Sequence, residues 1–229
     1  MDSRSIALDG PSGAGKSTLA RMSSSLYGLI YVDTGALYRC VGLHVLRHDV
    51  ASKDQQGVTA LLPGVKLEML YDDAGVQRMI LCGEDVTDSI RLPEVSGYAS
   101  DVSAMPQVRT FLLSLQRDMI EKYDVIMDGR DIGTVIMPGA GLKVFLTAEP
   151  EVRANRRYLE LREKGSDVTY ENVLHDMIIR DKNDSERAEA PLRASEDSVI
   201  LDTTALNLDE SLKALCDLID KRFGYESKL

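Results

Sequence analysis

Five short runs of apolar residues, each five or six positions long, recur along the chain and are separated by stretches with a different pattern. Runs of this length, bounded by polar or glycine residues, are typical of strands that are buried in a parallel sheet. The sequence therefore predicts five core strands, at Ser5–Asp9, Leu29–Asp33, Tyr123–Asp128, Leu142–Leu146 and Ser198–Asp202.

Most of the intervening stretches carry apolar residues at the three- and four-residue spacing of amphipathic helices. The final helix also has explicit boundary signals, because Asn207 and Glu210 have the spacing of a capping box and Gly224 follows the helix end. The helices predicted in this way are Ser17–Leu26, Ala36–Leu46, Val108–Tyr123, Val152–Lys164, Glu171–Asp184 and the segment after Asn207.

The alternation of strands and helices predicts an α/β fold. Its core is a five-stranded parallel sheet with helices on both faces and right-handed connections. Between Val65 and Arg91 the period changes to two, with a turn at Asp72–Gly75. This pattern predicts an inserted β-hairpin, whose limits are marked by Pro63-Gly64 and by Pro93.

Composition narrows the class of protein. The 229 residues include 27 Lys and Arg against 37 Asp and Glu, which gives a net charge of −10. A negative field of this size argues against a general nucleic-acid binder. No apolar run approaches the roughly 18 residues of a membrane span. Three widely spaced cysteines suit a reducing compartment, so we expect a cytoplasmic protein.

The most specific motif is a phosphate-binding loop after the first predicted strand. Gly10-Pro11-Ser12-Gly13-Ala14-Gly15-Lys16-Ser17 matches GxxxxGK[ST], and a predicted helix starting with Ser17 and Thr18 follows it. Glycines let successive backbone N–H groups point at phosphate oxygens. In such loops the lysine reaches the β- and γ-phosphates, and the hydroxyl of the last residue binds Mg²⁺. The motif predicts ATP and Mg²⁺ as cofactors, with Lys16 and Ser17 in these roles.

A phosphate-binding loop alone leaves several functional classes open. The second and third strands are not followed by the Asp-x-x-Gly of GTPase switches, and the chain has no Asn-Lys-x-Asp motif. A kinase for a small molecule is therefore favoured. Among small-molecule kinases the acceptor pocket stays open at this point. The alternative from another class is a regulatory module that binds ATP without turnover.

Polar residues at two further strand ends indicate a second substrate site. Asp33-Thr34-Gly35-Ala36-Leu37-Tyr38-Arg39 follows the second predicted strand, and Asp128-Gly129-Arg130-Asp131 ends the third. In an open α/β sheet the carboxyl ends of the strands line the ligand crevice. Guanidinium groups there can hold an acceptor phosphate through paired hydrogen bonds.

Four segments resemble the bacterial cytidylate kinases. They are Ile6–Ser17, Tyr31–Arg39, Asp128–Val135 and Arg180–Arg187, the last being followed by Ala190-Pro191-Leu192. The similarity extends over essentially the whole chain and includes the insertion at Val65–Arg91, which marks the long bacterial form.

The resemblance implies a P-loop nucleoside monophosphate kinase that transfers the γ-phosphoryl group of ATP to CMP or dCMP. It implies a core of residues 1–35, 101–150 and 186–229. Residues 36–100 would bind the monophosphate, with the inserted hairpin at about 63–92, and 151–185 would form a helical lid. The expected partners are CMP and dCMP only, with no nucleic acid and no membrane, and the expected state is a monomer.

The resemblance also assigns roles to individual residues. Thr34, Arg109 and Asp131 would face the cytosine, while Ser100, Arg180 and Asp184 would hold the pentose. Arg39, Arg130 and Arg187 would bind the acceptor phosphate, and Arg153, Arg156 and Arg157 would close over the ATP phosphates. Tyr38 and Asp128 complete the expected substrate site. Lys16, Arg39, Arg130, Arg157 and Arg187 are the expected catalytic residues.

Overall fold

The computed structural model describes residues 4–72, 75–163 and 165–226. It contains two compact units, one formed by residues 1–31 together with 123–229 and the other by residues 32–122. Within the described ranges, none of the helices combines the length and the hydropathy that a transmembrane span requires.

Eight strands and eight α-helices are present in the described residues. The strands are β1 Ser5–Asp9, β2 Ile30–Asp33, β3 Leu67–Tyr71, β4 Gln77–Leu81, β5 Glu84–Asp85, β6 Val125–Gly129, β7 Leu142–Thr147 and β8 Val199–Asp202. The helices are α1 Lys16–Tyr27, α2 Thr34–Arg47, α3 Gln55–Leu61, α4 Pro93–Ser103, α5 Pro106–Lys122, α6 Pro150–Glu163, α7 Tyr170–Glu186 and α8 Leu208–Phe223.

The predicted five-stranded parallel sheet is confirmed. Its strand order is β2-β6-β1-β7-β8, and β1 pairs in parallel with both β6 and β7. Every residue of β1 and β6 is buried, which explains their continuous apolar sequence. The edge strand β8 differs, because Ile200 is 56% exposed although its sequence is as apolar as that of the central strands.

The second compact unit combines helices with the predicted hairpin. Strands β3, β4 and β5 form an antiparallel sheet in that order. Its hydrophobic core includes the fully buried side chains of Leu37, Ile90 and Leu112. The predicted turn at 72–75 includes residues 73 and 74, which lie outside the described residues.

Two helices of this unit were not predicted. Pro93, which the sequence predicts as the limit of the hairpin, occupies the first turn of α4, where its missing N–H costs nothing. Gly57 lowers the helix propensity of α3, which begins because the carboxylate of Asp54 accepts the N–H of Gly57. Likewise α2 begins at Thr34, two residues before its predicted start, because Asp33 caps it.

Helices α6 and α7 correspond to the segment expected to form a lid. They pack on each other around Ala154, Val173 and Met177. The predicted end of the first of these helices, residue 164, lies outside the described residues. The division into core, monophosphate-binding part and lid stays a prediction.

Candidate active site

The phosphate-binding loop connects β1 to α1, whose first two residues are Lys16 and Ser17, and it has the backbone conformation that its glycines permit. Gly10 has φ +147°, and a Cβ atom there would lie 1.9 Å from the carbonyl oxygen of Leu146. Gly15, at the N-cap of α1, is left-handed with φ 92°. Within the described residues, no side chain caps α1, so its first N–H groups and its positive dipole end are available to an anion.

Lys16 lies in the first turn of α1 and is 6% exposed. Its Nζ atom donates a hydrogen bond of 2.8 Å to the carbonyl oxygen of Pro11, which folds the side chain back over the loop. Burial and the nearby guanidinium of Arg130 both lower the pKa of Lys16. A phosphate group bound here would stabilise the ammonium form, because opposite charge favours the charged state.

Ser17 and Asp128 bring two oxygen donors together beside the loop. The Ser17 hydroxyl donates to Oδ2 of Asp128 at 2.9 Å, and the Tyr31 hydroxyl donates to Oδ1 at the same distance. Across the residues that the structure describes, no cluster of three or more His, Cys, Asp or Glu side chains could hold a metal ion. The pair fits Mg²⁺, which is commonly bound by one carboxylate or hydroxyl together with phosphate oxygens and water.

Two ion pairs follow β6. Arg130 Nε donates to Oδ2 of Asp184 at 2.7 Å, and both side chains are largely buried. Burial alone would raise the pKa of Asp184, but Arg130 and Arg180 outweigh it and hold that pKa below its ordinary value. The carboxylate is therefore ionised and acceptor-only at neutral pH.

The second pair joins Arg187 to Asp131. Their closest atoms are 3.5 Å apart, and both side chains are only 6% exposed. The Nε atom of Arg187 also donates to the carbonyl oxygen of Ala190 at 2.8 Å. These contacts bring residues of the Asp128–Asp131 segment together with Asp184 on α7 and with Arg187, which directly follows α7, more than fifty positions away in sequence.

The three arginines of α6 have different surroundings. Arg153 is 4% exposed, donates to the Ser12 carbonyl oxygen of the phosphate-binding loop at 2.9 Å, and pairs with Asp181 at 2.6 Å. Arg156 donates to carbonyl oxygens of Thr203 and Leu206, and burial lowers its pKa.

Arg157 differs from both, since it pairs with Glu160 on its own helix and its side chain is 37% exposed. Of the three arginines, Arg153 therefore has a direct contact with the phosphate-binding loop, and Arg156 holds the segment after β8.

The remaining predicted site residues lie in the 32–122 unit. Thr34 is buried at the start of α2. Arg39 donates to the Ile90 carbonyl oxygen and to Ser96 Oγ. The Arg109 guanidinium lies 5.7 Å from the centre of the Tyr38 ring. Ser100 is on α4.

Sequence analysis missed two buried polar residues at these sites. Gln77, on β4, accepts the backbone N–H of Asp33 at 2.9 Å and donates to its carbonyl oxygen at 3.4 Å, so it fixes the residue before Thr34. Its position in the alternating pattern could have identified it, because Gln77 shares the buried face of β4 with Met79 and Leu81. Asp9, a charged residue that ends a wholly buried strand, is the other.

Residues 6–221 match the family described as cytidylate kinase. The chain belongs to the cytidylate kinase family. This finding confirms the resemblance, and the matched residues include every predicted site residue from Gly10 to Arg187.

Individual relatives within the family are similar over nearly their full length. The cytidylate kinase of Caldicellulosiruptor bescii is 47% identical over 96% of this chain and 97% of its own. That of Carboxydothermus hydrogenoformans is 44% identical over 95% and 97%. Among solved structures, an uncharacterized protein from Eubacterium ventriosum superposes with a TM-score of 0.51 at 12% identity. It covers 95% of this chain and 99% of that chain, a likeness of fold.

Proposed function

We propose that this protein transfers the γ-phosphoryl group of ATP to CMP and dCMP, forming CDP and dCDP. The observation that carries the proposal is the pair of buried ion pairs after β6, Arg130–Asp184 and Arg187–Asp131. A module that only bound ATP would need the phosphate-binding loop, but it would have no use for buried guanidinium groups at an acceptor site. Membership of the cytidylate kinase family supports the choice of acceptor.

The donor phosphates would be held by the phosphate-binding loop. Backbone N–H groups of the loop, other than at Pro11, and of the following Thr18 would bind their oxygens, and Lys16 would neutralise charge near the β- and γ-phosphates. Ser17 would hold Mg²⁺ with Asp128 beside it. When bound, the metal would neutralise charge on the phosphate oxygens. Arg153, Arg156 and Arg157 are proposed as lid residues over the ATP phosphates, with Arg153 best supported by its contact with Ser12.

The acceptor would be bound through groups of fixed orientation. In the transfer, an oxygen of the CMP phosphate forms a bond to the γ-phosphorus while the bond to the β-phosphate oxygen of ADP breaks. Such a reaction requires two phosphates held in line and their charge neutralised. Arg130 and Arg187 are proposed for the acceptor phosphate, and Arg180 and Asp184 for the pentose.

Asp131 is proposed as the residue that recognises cytosine. Cytosine carries an N4 amino donor where uracil carries an O4 acceptor, so a selective site needs an acceptor. Asp131 is buried, and its carboxylate lies 3.5 Å from the Arg187 guanidinium, so its oxygens offer acceptors at a fixed place.

The 32–122 unit is proposed to supply the remaining substrate contacts. Thr34 and Arg109 are assigned to the base, Arg39 to the acceptor phosphate and Ser100 to the pentose, with Tyr38 beside Arg109. The division into core, monophosphate-binding part and lid is proposed with the bounds that the resemblance implies.

The proposed setting is the cytoplasm, and the proposed state is a monomer without nucleic-acid or membrane partners. All three cysteines, Cys40, Cys82 and Cys216, are free thiols, which suits a reducing compartment.

A coupled assay of ADP release against CMP, dCMP, UMP, AMP and GMP tests the function. The proposal expects turnover with CMP and dCMP well above the rate without an acceptor, and Mg²⁺ dependence. If the protein binds ATP but no acceptor stimulates ADP release, the alternative of a regulatory module that binds ATP without turnover is favoured instead. Stimulation by an acceptor that is not a cytosine nucleotide would indicate another small-molecule kinase.

A further inference from the structure

Asp9, the last residue of β1, makes two hydrogen bonds to a distant part of the same compact unit. It is 3% exposed, and each of its carboxylate oxygens accepts one backbone N–H. Oδ1 accepts from Ile132 and Oδ2 accepts from Gly133, both at 2.7 Å. No other role in the proposed mechanism uses this carboxylate.

The two N–H groups belong to the start of a π-helical turn, Ile132–Ile136. Asp131 directly precedes this turn, and its own carbonyl oxygen accepts the N–H groups of Val135 and Ile136. Asp9 therefore caps the turn from outside, across 123 positions of sequence, and the backbone of Asp131 is held within the capped segment.

An ionised carboxylate is the group that satisfies both donors at once. It presents an acceptor on each oxygen, whereas an asparagine would present one acceptor and one donor to the same two N–H groups. One backbone N–H would then face another donor, which leaves a buried polar group without a partner.

We propose that Asp9 is a positioning residue of the acceptor site, which fixes the turn after β6 so that Asp131 points at the base. The inference rests on the proposed function of Asp131. Asp9 acts through the backbone of Ile132 and Gly133 and touches no substrate.

Asp9→Asn tests the inference, and Asp124→Asn is its matched control. Asp124 precedes β6 and also accepts two hydrogen bonds, from the N and Nε atoms of Arg4, which precedes β1. The two carboxylates thus link the same two strands at opposite ends. Steady-state kinetics should be measured for both variants with ATP and CMP varied separately.

In Asp9→Asn the KM for CMP should rise by roughly fivefold or more, as expected for one lost buried hydrogen bond, with a smaller change in the KM for ATP. Asp124→Asn should change neither by more than about twofold. Equal rises in both KM values, or a KM for CMP no higher than in Asp124→Asn, would overturn the inference.

Gly133→Ala disturbs the same contact without changing Asp9 and keeps the test open if Asp9→Asn does not fold. The added methyl group would lie 3.2 Å from Asp9 Oδ2 and from Lys143 Cδ, so it presses on the hydrogen-bonded pair. It should raise the KM for CMP in the same direction, and an unchanged value would count against the inference.

Amide hydrogen exchange separates failure of this inference from failure of the proposed function. Exchange at residues 131–137 should be faster in Asp9→Asn than in Asp124→Asn, with no nucleotide present. If the wild-type protein did not phosphorylate CMP but this difference appeared, the function would be wrong and the positioning of the turn would stand. If CMP were phosphorylated and the difference were absent, only the role of Asp9 would be wrong.

Discussion

The hydroxyl of Ser17 donates a hydrogen bond of 2.9 Å to Oδ2 of Asp128, so the first turn of α1 and the end of β6 share one polar contact. The two oxygens come from motifs that are 111 positions apart. Their pairing matches the hard oxygen ligands of Mg²⁺.

Ser17→Ala should raise the Mg²⁺ concentration needed for half-maximal turnover by about tenfold, because the variant lacks the hydroxyl proposed as a ligand to the ion. The measurement is ADP release with CMP at fixed ATP and increasing Mg²⁺. Ser25→Ala is the control, since Ser25 lies on the same helix and its hydroxyl bonds only to the Arg21 carbonyl oxygen among the contacts described for it. Equal Mg²⁺ requirements in the two variants would exclude Ser17 as a ligand.

Lys16→Met should reduce kcat by roughly 100-fold or more, because the ammonium is proposed to act on charge that develops in the transition state. The thermal unfolding midpoint should not fall, since the substitution removes a buried cation whose pKa is already lowered by burial.

Lys213→Met provides the comparison, because Lys213 pairs with Asp217 on the exposed surface of α8. Its kcat should equal that of the wild type. More than about a tenth of wild-type turnover in Lys16→Met would contradict the role of Lys16.

The pH dependence of the free energy of unfolding should show the protonation of the Asp9 carboxyl. Burial raises its pKa to about 6, although the hydrogen bonds from Gly133 and Ile132 oppose the shift. Asp131 adds to the shift and Lys16 opposes it. The folded state therefore holds the proton of the Asp9 carboxyl more tightly than the unfolded state does. The stabilisation that this proton gives the folded protein is full below about pH 4 and is lost as the pH rises through about 6.

Urea unfolding of the wild type and of Asp9→Asn measures this contribution. Between pH 4.5 and 7 the free energy of unfolding of the wild type should fall, relative to that of the variant, by on the order of 2 kcal/mol. Parallel curves for the two proteins would mean that Asp9 does not titrate in this range.

Gln77→Leu should lower the free energy of unfolding by about 1–3 kcal/mol, since the buried N–H of Asp33 would lose its acceptor. Gln55→Leu is the matched control on an exposed surface, where Gln55 contacts Gln107, and should change it by no more than about 0.5 kcal/mol. Similar unfolding midpoints in urea for the two variants would contradict a bridging role for Gln77.

The sequence predicted the central sheet because burial on both faces leaves a continuous apolar run, as in β1 and β6. It did not distinguish the exposed edge strand β8, since strand exposure depends on neighbours that are distant in sequence. Helix α4 was missed because its N-terminal proline also fits the end of a hairpin.

In the candidate site, too, local features were predicted from the sequence and long-range contacts were not. The phosphate-binding loop is local, so its spacing was sufficient to predict it. The hydrogen bonds around the loop join residues that are distant in sequence. Arg130 contacts Asp184, and Asp9 contacts Ile132, only because the fold brings their elements together. Sequence analysis assigned Arg153 to a lid but did not predict its contact with Ser12.

Competition between two acceptors tests the central claim most directly. The wild-type protein is given ATP, Mg²⁺ and an equimolar mixture of CMP and UMP, and CDP and UDP are separated by anion-exchange chromatography. Because the substrates compete for one enzyme, the initial product ratio equals the ratio of their kcat/KM values.

The same measurement is made on Asp131→Ala, which removes the carboxylate proposed to attract the N4 amino group and to repel O4. The wild type should form CDP in large excess over UDP, and Asp131→Ala should narrow that ratio by about tenfold or more, the equivalent of about 1.4 kcal/mol. Equal amounts of CDP and UDP from the wild type, or an unchanged ratio in Asp131→Ala, would contradict the assignment of Asp131 as the residue that selects cytosine.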